Sequence, residues 1–471
     1  MTEIIQKRLN DSAAMRWTAL VLVASMMFFG YMFVDVMSPL QSLIEQERGW
    51  SPDVFGTYAA GEYILNVFGF LIVAGIILDK CGIRFTGELS ASMMFIGACI
   101  KYYAISDSFA STGLAHWLDS WWTSMPASAK LASFGFMIFG CGCEMAGTTV
   151  SKAIAKWFKG KEMALAMGLE MAIARVGVFA IFSISPIIAE KMGTVSATVG
   201  FCTALLFIGL ITFSVFCIMD RKLDRQLGIS GNGGDSEEEF KASDLKNILT
   251  SRIFWIVALL CVLYYSAIFP FQRYGANMLQ CNLDGISPSD ASNIFRWFPI
   301  GAAVITPFLG SYLDHKGKGA TMLMWGALLL IACHLIFAFV LPQTHSYVIA
   351  YSTIVLLGIS FALVPAALWP SVPKIIDEKV LGSAYCLIFW VQNFGLCFVP
   401  MLIGSVLASS NADNPAVIAA KEAGSEFIPY NYTVPLVIFA CFGVAALLLA
   451  AYLKLIDKKN NYGLELPNIK K

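Results

Sequence analysis

Long apolar runs separated by short polar stretches extend along almost the whole chain. Twelve are readable, at about 17–40, 54–78, 86–108, 130–150, 163–188, 195–219, 252–275, 292–313, 320–341, 347–369, 380–407 and 432–455. A helix that crosses a bilayer takes about 20 apolar residues. Backbone groups find no water in lipid, so each run is predicted to satisfy its own backbone as an α-helix. One polar stretch is longer than the others. DRKLDRQLGISGNGGDSEEEFKASDLKN, which begins at Asp220, has a glycine-rich centre and an acidic run, and reads as a solvated linker. It divides the runs into six and six. The predicted domains are a tail at 1–16, a six-helix bundle at 17–219, the linker at 220–251, a second six-helix bundle at 252–457 and a tail at 458–471.

The two sets of six repeat each other. Gly75 to Arg84 reads GIILDKCGIR and Gly310 to Lys318 reads GSYLDHKGK, each at the end of the second run of its half. Two such turns, after helices 2 and 8 of a twelve-helix chain, resemble the major facilitator superfamily of secondary transporters. The resemblance implies an all-α membrane protein with twelve transmembrane helices in two pseudo-symmetric six-helix bundles. The glycines let backbones approach closely. Asp79 can face the positive N-terminal end of helix 11, and Asp314 that of helix 5. Contacts of that kind exist only while their side of the protein is closed, so both aspartates are expected to act as gating latches. WFKGKEMALAMGLEMA from Trp157 and IIDEKVLGSAYCLIFW from Ile375 echo each other too, but Glu162 and Glu378 are closer in sequence than the two aspartates. The shortfall places an extra segment at about 109–129. There Trp117, Trp121 and Trp122 share one helical face and are expected to lie at the membrane interface.

Composition agrees with a membrane chain. Of 471 residues, 58% are hydrophobic and 14% charged, against about a quarter charged in soluble domains. Mean hydropathy is +0.69. Of 32 Lys and Arg, 24 fall on one side if the N-terminus is inside. The positive-inside rule then predicts that both termini are cytoplasmic. Only Cys281 of the twelve cysteines is placed in an outer loop, so no disulfide framework is expected. Cys141 and Cys143 read as small packing residues of helix 4. No cleavable signal precedes the first run, and the tail carries no acidic dileucine sorting signal. The expected location is the plasma membrane, specifically a bacterial inner membrane.

Ionisable groups inside a bilayer are costly, about 2.5–3.5 kcal/mol for Arg on insertion scales, and they mark pathways. Asp35, Glu62, Glu144, Glu170, Arg175 and Arg296 lie within the runs. Glu88 and Lys101, near the ends of the third run, are expected to snorkel. Arg175, near mid-bilayer, cannot lose its proton and needs a carboxylate. Either Glu144 or Glu170 supplies it and ties helices 4 and 5 together, or a substrate does while Glu144 takes an amine. The second half has no midplane acid. It offers Tyr264, Tyr265, Trp369, Trp390, Gln392 and Asn393, aromatic groups that pack or line and two adjacent amides that need partners. A charged half opposite an aromatic, amide-bearing half suits a small zwitterion. Glu62 and Arg296 are predicted to pair across the halves and close the outer gate, with Asp35 nearby.

GLEMAIARVG from Gly168, LYYSAIFPF from Leu263, ALWPSVP from Ala367 and VLGSAYCLIFWVQNFGL from Val380 are similar to one branch of the superfamily. That branch contains a lysosomal dipeptide uniporter with a glycosylated accessory subunit. The resemblance covers roughly 17–455 and implies dipeptide transport, with Asp35, Glu144, Arg175, Trp369, Gln392 and Asn393 at matching positions. It implies no cofactor. The expected activity is movement of dipeptides by alternating access, as uniport or with weak coupling. The expected partners are a dipeptide or similar zwitterion and the lipid bilayer, without nucleic acid. A monomer is expected, with room for an accessory subunit. One alternative is a proton-coupled symporter or antiporter of small organic anions or amino acids; another is a transport-dead sensor or scaffold. An enzyme is not expected. Of the four histidines only His334 lies well inside a run, and neither HExxH nor GxSxG occurs.

Overall fold

A long helix covers most of each of the twelve runs among the described residues, with turns at Asp35–Met37, Phe68–Gly69 and Ile105–Ser106, and the helices outlast the runs at several ends. The computed structural model describes residues 8–159, 161–227, 248–376, 381–425 and 427–467. The crossings are α1 (Ala13–Val34), α2 (52–81), α3 (83–104), α4 (Ala127–Trp157), α5 (Met163–Met192), α6 (Val195–Leu227), α7 (Arg252–Asn282), α8 (Pro288–Lys316), α9 (Gly319–Thr344), α10 (Tyr347–Ile375), α11 (Leu381–Ser410) and α12 (Thr433–Asn460). The bend of 52° between Val67 and Phe70 lies within α2, where Gly69 takes a left-handed conformation.

Hydrogen bonding runs on from α2 into α3, but the chain reverses at Gly82, whose φ of 76° and ψ of 172° are not helical. Neighbours along α4 show the reversal. Gly61 faces Ser133 and Asp79 faces Lys152, so α2 runs parallel to α4. Gly97 faces Gly135 and Ser90 faces Gly142, so α3 runs antiparallel to it. The turn after α8 uses the same device at Gly317 and Lys318, both with positive φ. The two signature turns and both chain ends thus share one face, called here the terminal face; the opposite one is the far face.

Salt bridges fasten the terminal face of the first bundle. Arg84 and Lys156 both bridge to Asp220 and Asp224 on α6, and the Trp157 indole donates to Asp220 at 3.0 Å. The expected linker therefore starts late: Asp220–Leu227 continue α6, and 228–247 lie outside the described residues, as does Glu378. Lys161 donates to Asp11 at 2.9 Å and holds that carboxyl below its ordinary range. In the second bundle, Glu465 of the tail accepts from Thr321 N and Oγ1, both at 2.8 Å, and closes over the turn after α8.

Between crossings, α3 and α4 meet without side chains: a Cβ on Gly135 would stand 2.6 Å from the Gly97 carbonyl oxygen. Gly140 lies as close to the Glu62 backbone of α2. Gly140→Val should therefore force α2 off α4 and destabilise the protein by about 1–3 kcal/mol, the usual range for overpacking. Thermal unfolding of the detergent-solubilised variant reads this directly; an unchanged melting temperature would mean that the contact is looser than the structure has it.

The extra segment forms two short far-face helices, Asp107–Ala110 and Gly113–Asp119; Trp117 lies on the second, but Trp121 and Trp122 follow its end, so the three share no single helical face, and all are exposed. Cys281 lies in the last turn of α7 rather than in a loop, and all twelve cysteines are free. Glu88 is half-buried and accepts from Ser214 at 3.1 Å. Lys101 does not snorkel: it is fully buried among aromatic rings.

Candidate functional site

Two polar clusters lie between the bundles, one at mid-depth and one toward the far face. The central one is built on α4 and α5. Because α4 runs to Trp157, Glu144 is about 20 Å from the terminal end of its helix at 1.5 Å per residue. The run alone suggested roughly half that depth. Arg175 is about 18 Å into α5 by the same rise, so the two are level. Tyr31 of α1 is close enough for the charges of Arg175, Glu144 and Glu170 all to act on its hydroxyl. No bridge forms from Arg175 to Glu144 or Glu170, and among the described residues Arg175 has no carboxylate partner. Its guanidinium instead lies over the rings of Phe269 on α7 and Phe361 on α10, at 5.7 and 5.1 Å. The Glu144 carboxylate likewise has no hydrogen-bond or ion-pair partner among the described residues.

Those rings begin a continuous aromatic wall in the second bundle. Tyr265 stacks on Phe269 at 5.4 Å and meets Trp369 at 6.5 Å; Trp369 stacks on Phe389 at 4.9 Å and donates its indole N–H to the Tyr265 hydroxyl at 3.3 Å. The other expected members divide. Tyr264 points into its own bundle, where its hydroxyl donates to the Leu323 carbonyl of α9, so it packs rather than lines the site. Gln392 accepts from the Cys261 thiol at 3.4 Å across α7 and α11. Asn393 donates to the Phe389 carbonyl at 2.8 Å, and its own oxygen is buried without a partner. Trp390 donates to the Val67 carbonyl of α2 at 2.9 Å, linking the bundles at mid-depth.

The far-face cluster is closed. Arg273 of α7 reaches into the first bundle and bonds Glu62 on α2, Asp35 at 3.2 Å and the Val34 carbonyl. Gln272 adds a bond to Asp35 at 2.6 Å. All four polar side chains are more than nine-tenths buried. Around them Ser42 donates to Gln280 at 3.0 Å and Tyr430 to Glu45. The Tyr274 hydroxyl stands 3.2 Å from the Pro52 carbonyl and 3.1 Å from that of Pro400, where Gly56 and Gly404 let α2 and α11 meet. The expected Glu62–Arg296 pair is not what forms. Arg296 donates to Ser183 at 3.2 Å and lies over the rings of Phe179 and Trp297, because it sits at the break in α8 and points toward α5. Its place beside Glu62 is taken by Arg273.

Apart from the Trp390 contact, the hydrogen bonds between bundles described here lie toward the far face. At the terminal face Asp79 bonds Lys152 of its own bundle at 2.7 Å, and Asp314 is within the electrostatic reach of Lys374, also of its own bundle. The contacts described for Asp79 and Asp314 are thus within their own bundles, not the expected ones to helices 11 and 5. A cavity of about 310 Å³ opens on the far face among Ser42, Glu45, Asn277 and Lys421. It lies apart from the Arg273–Asp35–Glu62 cluster and includes neither Arg175 nor Glu144.

Sequence reasoning passed over Arg273, Tyr31, Phe269 and Phe361. A signal for Arg273 was present: Gln272, Arg273, Asn277 and Gln280 form one polar stripe at helical spacing along α7.

Comparison with known proteins follows the same lines. The profile of the Major Facilitator Superfamily matches residues 20–400. A lysosomal dipeptide transporter, MFSD1 of Danio rerio, is 28% identical over 402 residues, covering 83% of this chain and 80% of the relative. The MFSD1 of Homo sapiens is 27% identical over 410 residues, covering 84% and 81%. Among solved structures, a bacterial homologue of the human lysosomal transporter Spinster, inward-facing and occupied, superposes with a TM-score of 0.68 at 13% identity, covering 95% of this chain and 99% of its own.

Proposed function

The chain belongs to the major facilitator superfamily, and we propose that within it the protein moves dipeptides across a membrane by alternating access, as a uniporter or with weak coupling. The observation that carries this reading is the pair of unspent opposite charges at one depth. Arg175 rests on rings of the second bundle and Glu144 has no partner. A free dipeptide supplies the missing groups: its carboxylate takes the Arg175 fork and its ammonium takes Glu144. The planar guanidinium matches a carboxylate in two parallel bonds. The aromatic wall of Tyr265, Phe269, Phe361 and Trp369 then meets the peptide's side chains by area rather than by specific hydrogen bonds, which tolerates variety. The MFSD1 relatives are named as dipeptide transporters, which agrees with this chemistry. Gln392 ties α11 to α7 through Cys261, and Asn393 keeps an unpartnered side-chain oxygen.

The terminal face carries most of the Lys and Arg residues, which supports a cytoplasmic assignment of both termini and an inward-facing state for this structure. In that orientation Asp35 and Glu62 serve the outer gate, and Asp79 and Asp314 serve the inner one. Arg296 flanks the outer gate at the α5–α8 contact. An inner bacterial membrane and a monomer fit the short loops.

N-acetylation of a dipeptide removes the ammonium. It should therefore weaken binding to the wild type strongly and to Glu144→Gln much less. The measurement is ligand-induced stabilisation of the purified protein, which reports binding to the folded state by mass action. If acetylation matters equally in both proteins, Glu144 does not receive the amine.

A further inference from the structure

The closed gate contains two buried acids, Asp35 and Glu62, and two buried bases, Arg273 and Lys101. Of these two bases, only Arg273 is bonded to the acids among the described residues. Lys101 of α3 is fully buried, and its ammonium makes no hydrogen bond among the described residues. It stands instead among three rings: Phe33 of α1 at 4.4 Å, Tyr58 of α2 at 5.1 Å and Phe136 of α4 at 4.4 Å. The Phe136 ring also carries the Arg273 guanidinium at 5.8 Å, so one ring is shared by both cations. The cage adjoins both acids along the chain: Phe33 lies two residues before Asp35, and Tyr58 one helical turn before Glu62.

A caged ammonium is a poor way to fill space. Removing its hydration is expensive, and ring faces return only part of that. A methionine of similar length would fill the same cage without a charge. The arrangement makes sense when the two states of the gate are compared. Asp35, Glu62 and Lys101 belong to the first bundle; Arg273 belongs to the second. When the far face opens, α7 carries Arg273 away and both acids lose their guanidinium together. Lys101 stays with them. Its amine sits on a flexible four-carbon stem.

We infer that Lys101 is the reserve counter-ion of the gate, held in the aromatic cage while the far face is closed and turned onto Asp35 and Glu62 when Arg273 departs. It is a positioning residue and touches no substrate. The inference rests on alternating access and not on the identity of the transported molecule. Lys101 lowers the free energy of the open gate while adding little to the closed one, and so narrows the gap between the two.

The test uses the full-length purified protein with a pair of spin labels on the far-face ends of α2 and α11, which report the fraction open on that face. Lys101→Met should lower the open-to-closed ratio about tenfold, within the usual range of coupling between sites. In an Asp35→Asn/Glu62→Gln background, the same substitution should leave the ratio unchanged, because no acid remains to be served. A lysine that merely packs would shift the ratio equally in both backgrounds, or in neither, and either result overturns the proposal. If Lys101→Met does not fold, Lys101→Gln is read in the same cycle. Dipeptide-induced stabilisation is recorded on the same samples. Its absence in the wild type would defeat the substrate assignment and leave the gate result standing.

Discussion

Arg175→Ala is expected to abolish dipeptide transport and to weaken dipeptide binding by about 2–5 kcal/mol, roughly 30-fold to several thousand-fold. The size follows from leaving one member of a desolvated charge pair without its partner. Arg175→Lys should also be damaging: it keeps the charge but loses the planar fork, and an ammonium is more strongly hydrated than a guanidinium. Ligands can be varied in place of the protein. A dipeptide amidated at its C-terminus should bind the wild type as weakly as the free dipeptide binds Arg175→Ala, and amidation should make little further difference in that variant. Calorimetric titration of the four combinations measures this. Equal affinity of free and amidated dipeptides for the wild type would remove Arg175 from the carboxylate site.

Arg273→Met should open the far face. In the closed state it leaves Asp35 and Glu62 buried together without their cation. Breaking a buried ion pair by removing one member costs about 3–5 kcal/mol. In the open state water reaches the same acids, so most of that penalty falls on the closed state alone. Moving an equilibrium from 1:99 to 99:1 takes about 5.5 kcal/mol, so a mixed population is expected rather than a fully inverted one. Cysteines placed beside Tyr274 should become reactive to a membrane-impermeant reagent from the far side, and net transport should fall because the carrier no longer returns readily. Arg296→Gln should do much less, since Arg296 bonds Ser183 and not Glu62. Far-side labelling of Arg273→Met at the wild-type rate would mean that the cluster packs the bundles without gating them.

The fold was legible because hydropathy and repeated turns act locally. Twelve apolar runs need no tertiary information, and the paired turns at Asp79 and Asp314 exposed the two-bundle plan. Arg175 and Glu144 stand out as candidates because a charge within a run is conspicuous. What failed was partner choice. Arg273 is missed because the seventh apolar run ends at about 275, where polar residues begin, whereas α7 continues to Asn282. Its Gln272, Arg273 and Gln280 side chains bond the other bundle, and hydropathy treats such a buried polar stripe as a helix end. Lys101 was misread for a related reason. Distance from a helix end suggests snorkelling, whereas Phe33, Tyr58 and Phe136 come from three other helices and could not be foreseen around it. Tyr264 and Tyr265 were alike in sequence, yet adjacent residues on a helix point about 100° apart, and only Tyr265 faces the wall beside Arg175.

Counterflow tests the central claim most directly. Purified protein is placed in liposomes loaded with unlabelled dialanine, and entry of labelled dialanine is followed with no ion gradient and no membrane potential. Labelled dialanine should accumulate transiently, and loading with dialanine amide instead should prevent it. No accumulation from dialanine-loaded vesicles by a folded, correctly inserted protein, or equal accumulation with the amide, would contradict the account.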